Sequence, residues 1–256
     1  MTRSLKLLLG MSLRLSRLEL FPIRVKAGFA KGAKWSLYPW TSYWRGTHEP
    51  QIQQRFEQLG GGDIRGWSCW DIGAHFGLYS IGLALRTGPS GQVAAFEPNP
   101  VSFERMELHR RRNNLPWLKT FPVAASARTG KAELYTYGDL RTTTTHLPYD
   151  GETRSTDVAP IPIFTMALDD LVKRGELRMP RFVKLDAEGH AHHALSGMRE
   201  TLSEARPIIL MGLHSPEERA GALSILAPLN YSLETIDGGL GGPDSYAFGD
   251  FIFTPR

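Results

Sequence analysis

The chain has 256 residues, 41% of them hydrophobic and 22% charged, which suits one globular domain or one domain with an appendage. Its single cysteine, Cys69, excludes an internal disulfide and fits a reducing compartment, and no stretch approaches the length of a transmembrane helix. The formal net charge of +4 is uneven: residues 1–34 carry +7 and the remainder −3, so the basicity belongs to the N-terminus.

Residues 1–20 mix leucines with arginines. Leu7, Leu8 and Leu9 begin like a signal peptide, but Arg14 and Arg17 interrupt the apolar run and no small-residue cleavage site follows. The segment reads as an amphipathic basic helix that lies on an anionic membrane or packs on the domain. The expected organisation is a basic, aromatic, helical extension over 1–66 and a cofactor-binding domain over 67–256, in a cytoplasmic protein whose residues 1–20 either touch a membrane peripherally or pack on the domain and cover the cofactor. Tyr38, Trp40, Tyr43 and Trp44 form an aromatic cluster before the domain, suited to stacking on a sugar or adenine, or to the core.

From residue 67 strands and helices alternate. A strand over 68–72 leads to a helix over 75–86, and Gly88-Pro89-Ser90-Gly91 turns the chain into a strand over 92–96. A helix over 100–113 has Pro100 in its first turn, where a missing N–H costs nothing. Strands follow over 118–124 and 131–137. Residues 138–160 are a long loop holding Thr142 to Thr145 and His146, read as closing over a substrate. Then come a helix over 165–174, a strand over 181–185, a helix over 189–203, a strand over 207–213 and a helix over 216–226. Strands over 231–236 and 248–254 end the chain as an antiparallel edge pair. The alternation predicts an α/β fold, a mostly parallel sheet with helices on both faces.

Two stretches carry the chemistry. Trp70-Asp71-Ile72-Gly73-Ala74-His75-Phe76-Gly77 is an apolar run ending in an acid and a glycine turn that opens a helix. Ala95-Phe96-Glu97-Pro98-Asn99-Pro100 ends the next strand with Glu97, where a Rossmann-like sheet places its ribose-binding acid. A dinucleotide site needs G-x-G-x-x-G so that bare backbone touches a pyrophosphate. Here only Gly73 and Gly77 are present, and Ala74 and His75 fill the intervening places. The wider loop suits S-adenosylmethionine, which has no phosphate. Asp71 attracts its positive amino-acid end, directly or through water, and Glu97 accepts from both ribose hydroxyls. A strand–turn–helix with a capping Asp71 and no ligand is the plain alternative.

These segments resemble the FkbM family of S-adenosylmethionine-dependent methyltransferases, over roughly residues 38 to 215. Trp44-x-Gly46-Thr47-His48-Glu49-Pro50 is similar to the family's segment before the sheet. Asp71 to Gly77 resembles its cofactor loop, where Asn is commoner than His75. Phe96-Glu97-Pro98-Asn99-Pro100 is similar to its F-E-P-x-P, and Ala124-Ala125 to a small pair after the third strand. Leu168-Asp169-Asp170-Leu171 resembles its T-L-D-D-L, with Ala167 for Thr, and Lys184-Leu185-Asp186-Ala187-Glu188-Gly189 its K-x-D-x-E-G. The resemblance implies a Rossmann-like seven-stranded methyltransferase sheet with an antiparallel C-terminal edge strand, and O-methylation of sugar or natural-product hydroxyls. It implies a cofactor site of Asp71, Gly73, His75, Gly77, Glu97, Pro98, Asn99, Ala124 and Ala125. Glu49 is read as holding the cofactor's amino-acid end. Two departures stand out: the family usually has Glu where this chain has Ala191, and again where it has Gly212.

In an open α/β sheet, reactive groups lie beyond the C-terminal strand ends. Asp186 is the first candidate to take or orient the acceptor's proton. Lys184 shares its strand face and either places positive charge near the acceptor oxygen or pairs with Asp186. His214 follows the next strand directly. His190, His192 and His193 crowd a helix start, where capping and solvation are the usual roles. Asp186, Glu188, His190 and His214 are also chemically suited to a divalent metal, at no diagnostic spacing. The catalytic domain has no basic patch interleaved with aromatics, which argues against nucleic acid. The reading is an O-methyltransferase acting on a sugar, glycolipid or secondary metabolite. A catalytically weakened cofactor-binding scaffold is the alternative, and a nicotinamide oxidoreductase is disfavoured by the glycine spacing.

Overall fold

A computed structural model of the chain describes residues 21–38, 41–136, 145–146, 160–236 and 249–256. The expected helix over 1–20, Trp40 and nearly all of the 138–160 loop lie outside these residues. The described part of the 1–66 segment begins with a hairpin, β1 (Pro22–Arg24) against β2 (Lys34–Ser36), and ends with helix α1 (Pro50–Gln58). The chain then runs through β3 (Ser68–Ile72), α2 (Leu78–Thr87), β4 (Gln92–Phe96), α3 (Pro100–Arg112), β5 (Leu118–Phe121) and β6 (Val123–Ala125). Next come β7 (Gly130–Thr136), β8 (Thr145–His146), β9 (Ile161–Met166), α4 (Leu168–Lys173) and β10 (Phe182–Leu185). Helices α5 (Ala191–Ser196) and α6 (Arg199–Glu204), strand β11 (Ile208–Leu213), α7 (Pro216–Leu226), β12 (Tyr231–Thr235) and β13 (Gly249–Pro255) complete it.

Seven strands form the main sheet in the order β12-β13-β11-β10-β3-β4-β5. The five from β11 to β5 are parallel neighbours, and β13 inserts antiparallel between β11 and the edge strand β12. β3, β4 and β10 are buried along their whole length, as strands covered on both faces must be. Because side chains alternate, each strand feeds two cores. Cys69, Val93, Ala95, Phe182 and Leu210 face α2 and the N-terminal segment, with Phe29, Trp35, Tyr38 and Phe56. Trp70, Ile72, Phe96, Val183, Leu185 and Met211 face the opposite layer of α4, α5, α6 and α7. Asp71, Lys184 and Asp186 have the parity of the first set, so the sheet aims three charged residues into the layer that the N-terminal segment seals.

Several boundaries differ from those expected. The strand over 118–124 divides at Pro122, which offers no N–H to continue the ladder. β5 ends the main sheet, and β6 joins a second sheet in the order β6-β9-β7-β8. Its β9 replaces the start of the helix expected at 165, because Ile161–Met166 alternates between buried and exposed positions. Helix α2 starts at Leu78 rather than 75, since His75 and Gly77 both have left-handed backbone. The helix over 189–203 breaks at Gly197, whose backbone lies against the Ser126 carbonyl. Asp169 restarts it: its carboxylate accepts from the Glu200 and Thr201 amides and the Thr201 hydroxyl at 2.7–2.9 Å. Among the described residues no helix is long and apolar enough to cross a membrane.

One interaction pins the N-terminal hairpin to the sheet layer. Trp35 is fully buried and stacks on His109 of α3 with ring centroids 3.6 Å apart. The His109 Nδ1–H donates to the Phe76 carbonyl at 2.8 Å, and Nε2 accepts from the Ser36 amide. Burial holds His109 neutral, its pKa lowered to about 3. Trp35→Ala is expected to cost about 3–5 kcal/mol, with Trp35→Phe recovering part of the loss, in urea unfolding followed by circular dichroism.

Candidate active site

Strand order reverses between β3 and β10, which lie side by side while the chain proceeds outward from each in opposite directions. Their C-terminal ends, with that of β4, open into a pocket enclosing about 930 Å³ of non-protein space, part of it open to solvent. This is the crevice where open α/β sheets bind ligands. Glu49, Gly73, His75, Glu97, Pro98, Asn99, Ala124, Ala125 and Asp186 all line it.

The β3–β4 side is built largely from backbone. Gly73 has φ 77°, and a Cβ there would stand 1.9 Å from the Asp186 carbonyl oxygen, so only glycine fits. Its amide and that of Ala74 both donate to the Phe96 carbonyl at 3.0 Å, which folds the loop against β4. Glu97 is buried and accepts from the His75 amide at 2.7 Å through one oxygen and from the Asn99 amide at 2.8 Å through the other. A carboxylate has about four acceptor positions, so about two remain. Burial pushes its pKa up to about 7 against those two hydrogen bonds. The His75 Nδ1 meets the Tyr43 hydroxyl at 2.9 Å, while its Nε2 and the buried Asn99 Nδ2 have no partner among the described residues.

Behind the β3–β10 side runs a row of buried charge. Lys184, with 5% of its side chain exposed, places Nζ 3.1 Å from Asp186 Oδ2 and lies opposite Asp71 in the parallel register. Burial opposes its charge, yet Asp186, Asp71 and Glu49 hold its pKa above the usual lysine range. Asp71 accepts from the Ser80 hydroxyl at 2.5 Å, and burial pushes its carboxyl up. Despite burial, Lys184 and His214 hold the Asp186 carboxyl far below the usual range. Glu49 stands at the pocket wall, accepting from the Tyr79 hydroxyl at 2.8 Å with His48 Nε2 at 3.3 Å.

Toward β11 the site is polar. His214 Nε2–H donates to Asp186 Oδ1 at 3.1 Å, and Nδ1 lies 3.7 Å from Glu188. The hydrogen bond to Asp186 raises its pKa to about 9 against partial burial, so an imidazolium bridges two carboxylates. Donor atoms of Asp186, Glu188 and His214 lie within 4.8 Å of one another, close enough for one cation, although both ring nitrogens already face carboxylates. His190 is not in that group; it lines the pocket and places Nε2 3.1 Å from the Ser126 hydroxyl.

The structure thus gathers Asp186 and eight of the ten expected cofactor residues around one pocket. Asp71 and Gly77 are not among its lining residues: Asp71 lies beneath it, and Gly77 caps α2 against Met106. Lys184 and His214 flank Asp186 from below and from the side. The sequence reading missed His48, Tyr79, Glu218 and Asp250. Glu218 accepts from the Ala191 amide at 2.8 Å and the His214 amide at 2.7 Å, tying the end of β11 to α5. Ser215 and Glu218 form a capping-box spacing that signals such an acid at a helix start.

A model of the methyltransferase FkbM domain matches residues 71–236, more than half of the chain. The hexuronic acid methyltransferase AglP of Haloferax volcanii is 26% identical over 165 residues, which cover 64% of this chain and 63% of that protein. The chain therefore spans just under two thirds of that relative. Among solved structures, a methyltransferase FkbM from Methylobacillus flagellatus KT is 21% identical with a TM-score of 0.47, over 73% of this chain and 43% of that one. An O-methyltransferase from Bacillus cereus in complex with SAH is 14% identical with a TM-score of 0.44, over 80% of each chain.

The charge row yields a stability test. Lys184→Met leaves Asp71 and Asp186 buried without their cation and is expected to cost about 3–5 kcal/mol near pH 8. The native Asp186 pKa lies below its unfolded value, so its stabilisation is present above the unfolded pKa and lost in acid. Without Lys184 the carboxyls titrate at higher pH, so the deficit of the variant shrinks as pH falls from 8 to 5. Urea unfolding at both pH values measures it.

Proposed function

We propose that this chain, which belongs to the methyltransferase FkbM family, transfers the methyl group of S-adenosylmethionine to a hydroxyl of a sugar, glycolipid or secondary metabolite. The observation that carries the reading is Glu97, a buried carboxylate fixed by two backbone amides with acceptor capacity left beside an open pocket. The residues present fit the cofactor. Glu97 can take the ribose hydroxyls, and His75 Nε2 and Asn99 Nδ2 are polar atoms lacking partners among the described residues. Ala124 and Ala125 leave room beside Pro98 for a flat ring, and Glu49 supplies a carboxylate for an ammonium. Gly73, held flush against Asp186, keeps the floor clear.

When bound, S-adenosylmethionine supplies a methyl group already activated on a sulfonium, so alignment is the main task of the protein. Asp186 orients the acceptor hydroxyl and receives its proton as the carbon–oxygen bond forms. Its low basicity is adequate, because the hydroxyl becomes strongly acidic as its oxygen shares its electrons with the methyl carbon. Lys184 keeps Asp186 ionised, and the His214 Nε2–H fixes its second oxygen. The raised pKa of His214 makes it a donor at neutral pH, which favours Asp186 over His214 as proton acceptor. The Haloferax volcanii relative is a hexuronic acid methyltransferase, which supports a sugar-like acceptor. Carboxylates of Glu218 and Asp250 stand beside Ala191 and Gly212, and this supports an active enzyme over a scaffold.

Asp186→Asn is expected to lower kcat by about 10²–10⁴-fold while calorimetric affinity for S-adenosylhomocysteine changes less than about threefold. An unaltered rate removes Asp186 from the role.

Glu97 predicts a pH dependence with two signs. Its carboxylate form accepts the ribose hydroxyls, so affinity for S-adenosylhomocysteine falls as pH drops through about 7. The native pKa lies above its unfolded value, so the free protein gains stability from this group over the same fall. In calorimetry and thermal melts between pH 5.5 and 8.5, Glu97→Gln is expected to flatten both trends.

A further inference from the structure

Methyl transfer leaves the outer face of the N-terminal hairpin without a role. Between Phe21 and His48 the chain carries Arg24, Lys26, Lys31, Lys34 and Arg45, and no aspartate or glutamate. All five cations are exposed, and none forms an ion pair among the described residues. Register sets Arg24 directly opposite Lys34 across β1 and β2. Residues opposed in this way project to the same face, and like charges so placed repel. The fold nevertheless fixes them there. Asn113, just after α3, accepts from the Lys34 amide at 2.7 Å and donates to the Lys34 carbonyl at 2.8 Å. Two residues along the same strand face, the Ser36 hydroxyl accepts from Arg112 at 2.5 Å. Arg24, Lys34 and Arg112 thus form a basic row. Phe21, 72% exposed, precedes the Pro22 that pairs with Ser36 at its end.

The same basic segment reaches the pocket wall. The Lys26 amide donates to the Trp44 carbonyl at 3.0 Å. Lys26 Nζ and the Arg45 guanidinium each lie 5.0 Å from the Trp44 ring centre. Tyr43, the residue before Trp44, lines the pocket.

A row of like charge fits an anionic partner, and the apolar residues select which one. Trp44 is engaged by Lys26 and Arg45, whereas a nucleic-acid site offers open rings for stacking. Phe21 is open, and it follows twenty residues holding eight leucines, four cations and one acid. Cations interleaved with apolar side chains suit the boundary of an anionic bilayer.

We propose that the outer face of this hairpin docks on an anionic phospholipid surface, with Arg24, Lys34 and Arg112 against the headgroups and Phe21 in the interface. The inference is independent of the methyl-transfer reading, because vesicle binding is measured without turnover.

The test is co-sedimentation of the full chain with vesicles of phosphatidylcholine, alone or with about one third phosphatidylglycerol. Binding is expected to the anionic vesicles only, falling about tenfold or more as salt rises from about 0.1 M to about 1 M. Arg24→Gln combined with Lys34→Gln weakens it about 25-fold, at about fivefold for each cation. Phe21→Ser weakens it about tenfold and leaves the salt dependence unchanged. Lys173→Gln combined with Arg174→Gln, an equal loss of charge at α4, changes it less than about threefold. Circular dichroism verifies the fold of each variant. Equal binding to both vesicle types, or binding unaltered by the hairpin double variant, overturns the inference. Absence of vesicle binding also overturns it, whether or not a DNA duplex binds instead.

Discussion

Lys184 sits in an apolar layer with almost none of its side chain exposed, held by Asp186 at 3.1 Å and facing Asp71 across the β3–β10 register. A lone buried ammonium is too costly to keep, so a lysine there obliges the neighbouring strands to carry acids. That requirement is met at the centre of the sheet, where strand order reverses and a ligand crevice opens. One of the balancing acids, Asp186, is therefore ionised, fixed and placed at the mouth of the crevice. His214 and Glu188 extend the pattern outward, and Tyr79, whose ring faces Lys184 at 5.1 Å, carries it to Glu49. The N-terminal segment closes the arrangement from outside through Phe56, which stacks on Tyr79 and packs against Phe182. The segment before the sheet is thus part of the electrostatic design of the site.

Three non-glycine residues lining the pocket hold left-handed backbone: Glu49 at φ 44°, His75 at φ 50° and Glu188 at φ 38°. Each such conformation costs roughly 1–3 kcal/mol and persists only where packing imposes it. Here it falls at the ends of buried strands and at Glu49, the residue that precedes α1. Their clustering at one pocket marks a surface prepared in advance, with amides and carboxylates oriented before any ligand arrives. Preorganisation of this kind is what methyl transfer from an activated donor requires.

Much of this was legible in the sequence because the parallel strands are buried on both faces. Runs such as Cys69 to Ile72 and Val93 to Phe96 are then nearly continuous in apolar residues, with Asp71 inside the first and Glu97 directly after the second. The glycine spacing at 73 and 77 and the acid at 97 identified the loop. Pro122 was visible, but a strand that changes sheets has the same local pattern as one that does not. The β9 strand was hidden by a helix-like Leu168-Asp169-Asp170-Leu171 immediately after it. Asp250 was not legible: it reaches the site through cross-strand pairing with Gly212, a juxtaposition of topology that leaves no spacing in the chain. The capping-box spacing of Ser215 and Glu218 was visible, but the reach of Glu218 to the Ala191 amide on α5 was not. Asp71 looked like a ligand-facing acid, and only its partner Ser80 and the depth of Lys184 show it beneath the pocket.

The most direct measurement is isothermal titration of the full chain with S-adenosylhomocysteine, with NAD as the comparison ligand. One site for S-adenosylhomocysteine is expected, weakened severalfold or more by Glu97→Ala, with no heat from NAD. Saturable NAD binding, or S-adenosylhomocysteine binding indifferent to Glu97, would contradict that expectation.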